Sequence, residues 1–258
     1  MQAFRDQLTE QGLNLFAVAK ASDYDANMPK GLCSNEVLPG SQSILVVASG
    51  GQALWRGFLA SLEREPRHLV DDPHPIDAYV KRCVAQADAL LEAGQRRWLF
   101  AEAEPEAFVD FRLLARLANL GLRSRLGLLL HDTYGPWLGL RAACFMEDRL
   151  EPTPPSPGAG CTGCPSPCIS ACPAGALNIG QWDVEICSQF HSDSDLCDST
   201  CHARTACPVG ETHRYSPHQI QYHYNRHAGR QWLRRHFHIK ASADPHEGVG
   251  PHWGLWKG

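Results

Sequence analysis

The chain has 258 residues, of which 43% are apolar and 20% are charged, and its net charge is −4. At about 100 to 200 residues per domain this length fits one or two domains, and the apolar share is enough for a buried core. The totals exclude wholesale disorder and a uniformly cationic nucleic-acid-binding protein. No apolar run approaches the ~18 to 20 residues of a membrane helix, and the first residues lack the apolar core of a signal peptide. We therefore expect a cytoplasmic protein with no membrane partner.

Residues 1 to 150 interleave helix and strand patterns. Between Pro75 and Gly94 the apolar side chains recur at helical spacing, which predicts a core-facing helix that includes Cys83. A second helix is predicted from about Glu106 to Gly121. Short apolar runs predict strands at residues 43–49, 98–101, 126–130 and 137–146. These patterns indicate an α+β fold with helices packed against a sheet.

A linker is predicted at residues 151–160, where four prolines and two glycines interrupt any regular element. Charge changes across it. Residues 1–150 hold 16 Lys/Arg and 19 Asp/Glu. Residues 151–212 hold 1 Lys/Arg and 7 Asp/Glu, and residues 213–258 hold 7 Lys/Arg and 2 Asp/Glu. We therefore predict three regions: an N-terminal domain (1–150), an acidic module (151–212) and a His/Arg-rich helical tail (213–258).

Eight of the eleven cysteines crowd into the acidic module. They are Cys161, Cys164, Cys168, Cys172, Cys187, Cys197, Cys201 and Cys207. A reducing compartment does not maintain disulfides, so this crowding indicates a metal centre. The run Cys-x2-Cys-x3-Cys-x3-Cys-Pro resembles the bacterial ferredoxin motif, in which three thiolates bind one cubane and the fourth binds a second. Eight thiolates predict two [4Fe-4S] clusters. The crossed pattern assigns Cys161, Cys164, Cys168 and Cys207 to one cluster and Cys172, Cys187, Cys197 and Cys201 to the other.

Two alternatives compete with iron and sulfide at these thiols. Structural zinc also takes four thiolates but usually uses two short Cys-x2-Cys pairs, and only Cys161/Cys164 has that spacing. A disulfide knot is disfavoured by the odd number of cysteines and the lack of a secretory signal. The spacings also depart from the ferredoxin pattern. Three residues rather than two separate Cys164 from Cys168, and nine, three and five residues separate Cys187, Cys197, Cys201 and Cys207 in turn. These departures leave the cluster type open.

The order of an N-terminal α+β region, this cysteine run, a lone Cys187 and a final Cys-Pro resembles the superfamily of epoxyqueuosine reductases and reductive dehalogenases. The segment 120–141, with Gly135-Pro136-Trp137, also resembles a cobalamin-lining element of that superfamily and of the cobalamin-processing decyanases. The resemblance covers roughly residues 100 to 212. It implies a nitroreductase-like N-terminal domain that binds a corrinoid and receives electrons from two [4Fe-4S] clusters. Flavin is the alternative cofactor.

The resemblance also implies roles for individual residues. Tyr134, Trp137 and Arg141 would supply an aromatic wall and a polar partner for a corrinoid edge. The alternative is a strand whose Trp137, Leu138, Leu140 and Phe145 fill the core. Val109-Asp110 matches a Val-Asp pair whose aspartate is a proposed proton donor. The alternative for Asp110 is a partner of a helix N-terminus.

The expected function is an iron-sulfur, cobalamin-dependent reductase that receives electrons from a donor protein such as a flavodoxin or ferredoxin. The alternatives are a ferredoxin-like carrier without its own catalysis and a cobalamin-reducing chaperone. Many epoxyqueuosine reductases use a C-terminal helical-repeat domain on tRNA, and the sequence has no room for one. Nucleic acid is therefore not the favoured partner, although it stays open.

In the tail, Ser216-Pro217 predicts the start of a helix. Aromatic and apolar side chains four residues apart, including Tyr224 and Trp232, predict a docking face. Arg226, Arg230 and Arg234 would line another face, where they could bind a nucleotide, a phosphate or the acidic module. The acidic module is favoured because it requires no partner outside the chain. His223 and His227 stand one turn apart, but the sequence offers no third ligand for zinc. Trp253 and Trp256 are predicted to anchor the last residues.

Overall fold

The computed structural model describes residues 1–102, 107–156, 158, 160–178 and 181–246. The strands are β1 (Leu15–Lys20), β2 (Ser43–Gly50), β3 (Arg96–Phe100), β4 (Leu122–Arg123), β5 (Leu129–Leu130), β6 (Leu138–Met146), β7 (Leu177–Asn178) and β8 (Gln181–Trp182). The α-helices are α1 (Gln2–Glu10), α2 (Ala21–Asp25), α3 (Ser34–Val37), α4 (Ala53–Arg64), α5 (Pro75–Asp88), α6 (Phe111–Leu117), α7 (Pro167–Ser170), α8 (Val184–Asp193), α9 (His202–Thr205), α10 (Pro217–Tyr224) and α11 (Arg226–His236). Short 3₁₀ turns occupy Pro66–Leu69, Asp195–Cys197, Glu211–His213 and Ala241–Ala243. Across these ranges no helix combines the length and the apolar character needed to cross a bilayer.

A four-stranded sheet in the order β1-β2-β6-β3 forms the centre of the N-terminal region, and its strands pair antiparallel. Every residue of β2 is buried. Side chains alternate along a strand, so Leu45 and Val47 enter one core while Ile44 and Val46 enter the other. Because both faces are covered, this strand is apolar without interruption. The predicted α+β class is confirmed, as are the strands predicted near residues 43, 98 and 137.

Helices cover the two faces of the sheet in separate groups. α1, α4 and α5 pack on one face together with the tail, and α2, α3 and α6 pack on the other. The helix predicted after Pro75 is confirmed as α5. Its Cys83 is 2% exposed, and burial raises the pKa of its thiol to about 11, so this cysteine is a packing residue.

Two predicted elements differ in the structure. The second helix is the shorter α6, because the Asp110 carboxylate accepts a hydrogen bond from the Leu113 N–H at 2.9 Å and caps the helix there. Glu106 lies outside the described residues. The strand predicted at residues 126–130 is wrong as a member of the main sheet: only β5 forms, paired with β4 in a small hairpin. Leu126 and Leu130 are apolar because they pack on the cysteine module.

The tail forms two helices where one was predicted. Asn225 separates α10 from α11 and caps the second helix, since its side-chain oxygen accepts a hydrogen bond from the Ala228 N–H at 3.0 Å. The helices meet closely at Gly229, where a Cβ would lie 2.4 Å from the Cα of Tyr222. Ser216 caps α10 as predicted. Trp253 and Trp256 lie outside the described residues.

Candidate functional site

The first cysteine run winds around a common centre because its backbone turns repeatedly. Gly160, Gly163 and Ser166 have φ angles of +57°, +73° and +61°, and each reverses the chain between two cysteines or just before the first. The Ser166 N–H donates to the Cys164 Sγ at 3.4 Å. Backbone N–H groups that point at sulfur are typical of iron-sulfur proteins, where they stabilise charge on the thiolates.

Four thiols form a first group at the border of the module and the N-terminal region. Its members are Cys161, Cys164, Cys168 and Cys207, which line one cavity. The β4–β5 hairpin closes this cavity with Leu126 and Leu130. Burial raises the pKa of Cys168, and so do the neighbouring thiols of Cys161 and Cys164. Burial also raises the pKa of Cys207, as do the thiols of Cys168, Cys161 and Cys164. The fourth member thus comes from the far end of the module.

A second group contains the remaining four thiols of the module. Its members are Cys172, Cys187, Cys197 and Cys201. Burial raises the pKa of Cys197 to about 11, and the thiols of Cys201, Cys187 and Cys172 contribute to that rise. Burial also raises the pKa of Cys187, with contributions from the thiols of Cys201 and Cys172 and an opposing contribution from the Trp182 side chain. In the described part of the chain, no three Cys, His, Asp or Glu side chains converge tightly enough to hold one metal ion. The two groups are therefore defined by proximity.

Arg204 joins the module to the sheet. It lies on α9, between the cysteines of the two groups, and is 9% exposed. Its Nη2 and Nε donate to the Pro136 carbonyl at 2.6 and 3.2 Å. Its guanidinium lies 4.7 Å from the ring centroids of Trp137 and Tyr215. Sequence analysis missed this contact, although Arg204 is the only Lys or Arg of residues 151–212.

Trp137 lies at this joint and is 1% exposed. Arg204 and Tyr215 cover its ring, and its indole N–H is buried with no hydrogen-bond acceptor among the described residues. Buried donors nearly always have a partner. Direct contact of Trp137 with a cofactor stays a prediction. In the structure this side chain links the start of β6 to the module.

Tyr134 lies at the end of β2, next to the segment that follows Cys207. Its hydroxyl accepts a hydrogen bond from the Asn14 Nδ2 at 3.1 Å, and its ring lies 4.7 Å from that of His213. Gly50 makes this position possible, because a Cβ there would lie 2.5 Å from the Tyr134 ring. The partly exposed tyrosine therefore borders both the sheet and the module.

Arg141 lies on β6 beside the same end of β2, and its Nε donates to the Ser49 Oγ at 3.2 Å. It is also near Asp77 in the first turn of α5. Burial raises the pKa of Asp77, although Arg141 and Arg226 oppose the rise. Sequence analysis did not single out Asp77, because an acidic residue just after Pro75 is expected in the first turn of any helix. Tyr134 and Arg141 thus share one end of the sheet.

Asp110 lies elsewhere, on the face of the sheet that α2 and α6 cover. Its carboxylate caps α6, and its backbone N–H donates to the Tyr24 hydroxyl at 3.3 Å. The capping role matches the alternative weighed from the sequence. Catalysis by Asp110 stays a prediction.

The tail arginines contact the N-terminal region and the last described turn. Arg230 is 1% exposed and donates to the Leu69 carbonyl at 2.9 Å and to the Asp244 carboxylate at 2.7 Å. Arg234 binds the other Asp244 oxygen at 2.8 Å. The prediction that Arg230 grips the acidic module is wrong, because its guanidinium is buried among these oxygens. Trp232 stacks on Trp55 at 6.3 Å, so the aromatic face docks on α4.

Neither a protein-family model nor a curated protein sequence matches the chain. Solved structures match its fold. The B12-trafficking protein CblC of C. elegans is 14% identical over 92% of this chain and 94% of its own, with a TM-score of 0.58. The epoxyqueuosine reductase of Streptococcus thermophilus is 15% identical over 80% of this chain and 65% of its own, with a TM-score of 0.53. The catabolic reductive dehalogenase NpRdhA is 13% identical over 92% of this chain and 34% of its own, with a TM-score of 0.50.

The predicted resemblance to this group of structures is confirmed. The chain spans just under two thirds of the length of the Streptococcus reductase. At these sequence identities the likeness shows a shared fold. Cofactors and activities have to be argued from the residues of this chain.

Proposed function

We propose that the protein is an iron-sulfur oxidoreductase that passes electrons through two [4Fe-4S] clusters to a corrinoid, or to a substrate, in its N-terminal domain. The crossed grouping of the thiols carries the proposal. Cys207 lies with the first three cysteines, and Cys172 lies with the later three. Two-cluster bacterial ferredoxins exchange their fourth ligands in the same way.

The donor set suits iron and sulfide. Soft thiolates favour iron-sulfur clusters, and N–H groups directed at sulfur stabilise the charge that a reduced cluster carries. Such hydrogen bonds reach Cys164 from Ser166, and Cys201 from the Arg204 N–H at 3.5 Å. Each cluster would thus have protein donors that tune its potential.

The order of electron flow follows from the position of each group. The first group lies against the β4–β5 hairpin, and the chain just after Cys207 touches the N-terminal region. A Cβ on Gly135 would lie 2.0 Å from the Val209 carbonyl oxygen, so the two backbones are in contact. Tyr134 precedes that glycine. We therefore assign the first cluster as the one that delivers electrons to the N-terminal domain.

Tyr134, Trp137 and Arg141 are the proposed cofactor residues. Arg141 has guanidinium N–H groups in addition to the one bound to Ser49, and these could bind an amide or carboxylate edge. The unpaired Trp137 indole N–H is a donor that a cofactor oxygen could satisfy if the ring became accessible. A bound corrinoid supplies a cobalt centre that accepts electrons from the clusters. Flavin remains the alternative, and the spectra described below distinguish the two.

Asp110 is the proposed proton donor. Its carboxylate already accepts the Leu113 N–H, so Asp110 would have to leave this cap to reach a substrate. A Bacillus subtilis epoxyqueuosine reductase has been solved with an aspartate-bearing catalytic loop swung out of the active site. A mobile loop of that kind would allow Asp110 to exchange its capping role for a catalytic one.

A cobalamin-reducing chaperone is the second candidate, and the match to CblC favours it. CblC is described as a B12-trafficking protein, and its match extends over nearly the whole of both chains. Epoxyqueuosine reductases are longer, and one has been solved with a tRNA stem loop. In the chaperone, cobalt would be reduced only to release its upper ligand.

The test is anaerobic purification followed by analysis of iron, acid-labile sulfide and zinc. We expect about eight iron and eight sulfide per chain. Titration with hydroxocobalamin or FMN, followed by visible spectra, should show tight binding of one of them. Cluster absorption without ligand uptake would leave a ferredoxin-like carrier. Zinc without sulfide would refute the redox proposal.

A further inference from the structure

The outer face of the acidic module combines an apolar groove with exposed apolar side chains. The groove, of about 560 Å³, runs along α8 and is lined by Ile186, Phe190 and Ala174 together with polar and acidic residues. Ile186, which lines the groove, is one of the exposed large apolar side chains in the described part of the chain and is 45% exposed. An apolar groove with an exposed aliphatic side chain is a candidate interaction surface.

Carboxylates surround this groove. Glu185 and Asp193 line it, and Asp195 and Asp198 follow on the adjoining turn. The module offers nothing of the opposite sign to neutralise them, because its one Lys or Arg is the buried Arg204. The face therefore has an apolar centre and a negative rim. Transient protein interfaces show this layout, in which the charge guides the encounter and the apolar centre holds it.

The second thiol group lies directly behind the groove. α8 carries both the groove residues and Cys187, and Ala174 follows Cys172 by two positions. In this group Cys172, Cys187 and Cys201 are partly exposed and Cys197 is buried. A protein seated in the groove would therefore lie next to the second thiol group.

We infer that this groove docks the electron donor, and that the donor presents a positively charged rim around an apolar contact. The inference rests on the proposed function, since it requires the second thiol group to hold a cluster. One electron would pass from the donor to a cluster held by the second thiol group and then to one held by the first. The donor is oxidised by one electron and the cluster is reduced by one, with no bond made or broken.

Charge complementarity selects this partner over a donor with an acidic face. Steering by opposite charges raises association rates by about 10- to 1,000-fold at low salt, and screening removes that gain. Mitochondrial cytochrome c, a strongly cationic redox protein, is a suitable probe. Succinylation of its lysines reverses the sign of its surface while leaving the haem in place.

The experiment measures oxidation of the dithionite-reduced protein by cytochrome c in a stopped-flow instrument. The test variant is Glu185→Lys/Asp193→Lys. The matched control is Glu10→Lys/Glu63→Lys, which makes the same charge change on exposed sites of α1 and α4. A neutral benzoquinone, which needs no docking site, serves as a second oxidant. Iron and sulfide content are measured in every variant.

For the wild type, we expect the rate constant to fall at least about tenfold between about 10 mM and about 0.5 M salt. The groove variant should be about tenfold slower at low salt, the control variant should change less than about twofold, and all should react equally with benzoquinone. Succinylated cytochrome c should react faster with the groove variant than with the wild type. Equal slowing of the two variants, or no slowing in either, would overturn the docking inference while loaded clusters preserve the proposed function. A wild type without iron and sulfide would remove both.

Discussion

The crossed grouping of the thiols predicts an outcome that a sequential grouping does not share. Cys168 and Cys207 belong to the same group. The variant Cys168→Ser/Cys207→Ser therefore removes two ligands from one cluster and none from the other. A cubane holds four iron atoms, so iron should fall from about eight to about four per chain. If the cysteines instead grouped in sequence order, Cys207 would bind with Cys187, Cys197 and Cys201, and the same variant would lose both clusters.

The variant Cys168→Ser/Cys172→Ser reverses this contrast. In the crossed grouping it takes one ligand from each cluster, so iron should fall well below about four per chain. In a sequential grouping it would damage only one. Cys33→Ser, a half-exposed thiol outside the module, is the control and should retain all of its iron. Iron, acid-labile sulfide and the EPR spectrum of the reduced protein provide the measurement. More iron in Cys168→Ser/Cys172→Ser than in Cys168→Ser/Cys207→Ser would refute the crossed assignment.

Three further predictions follow from single contacts. Gly135→Ala would place a Cβ 2.0 Å from the Val209 carbonyl oxygen. It should lower the free energy of unfolding by at least about 2 kcal/mol more than Gly31→Ala, because Gly31 has a φ of +88° but nothing within 4 Å of a Cβ, and it should also lower the iron content. Equal unfolding free energies of the two variants would contradict the close contact. Asp244→Asn should destabilise the protein by about 3 to 5 kcal/mol at pH 7, because it leaves two buried guanidinium groups without their carboxylate, as measured by denaturant unfolding. Burial opposes ionisation of Asp244, but the hydrogen bonds that its carboxylate accepts lower its pKa. The stability that this carboxylate contributes is therefore present above the usual aspartate pKa of about 3.9 and is lost as the pH falls through the lower pKa of the folded state. The Asp244→Asn variant should not show this loss. Asp110→Asn should retain the unfolding free energy and the iron content of the wild type, because asparagine caps helices as well as aspartate does. Its turnover should be lost, because asparagine cannot donate the proton. Normal turnover in this variant would remove Asp110 from the mechanism.

The sequence predicts best where the local pattern and the tertiary environment agree. β2 is an uninterrupted apolar run because helices cover both of its faces, and α5 shows helical periodicity because only one of its faces is buried. The cysteine spacing belongs to this class as well. The crossed grouping of the thiols follows from their ferredoxin-like spacing, so it could be predicted before any contact was known.

The tail was harder to predict because its signals point in two directions. Helical spacing continues through Asn225, so nothing in the periodicity marks a break, yet the same side chain caps α11. Arginine is usually exposed, so the position of Arg230 depends on a carboxylate, Asp244, that lies beyond the end of the helix. Only the tertiary structure brings such pairs together. Trp137 is a similar case, because its buried environment depends on Arg204 and Tyr215 from the module and the tail.

The unequal placement of the two thiol groups bears on the choice between an electron carrier and an enzyme. A carrier must accept and release electrons at an accessible edge, and the groove beside Cys187 would serve for both steps. In the group that contains Cys207, Cys168 and Cys207 are buried against Leu126 and Leu130, whereas Cys161 and Cys164 are partly exposed. The buried side of this group faces the N-terminal region, where Val209 is in contact with Gly135. A carrier has no need of a cluster that borders a second domain in this way. The position of Cys207 therefore favours a protein in which the N-terminal domain holds the electron acceptor.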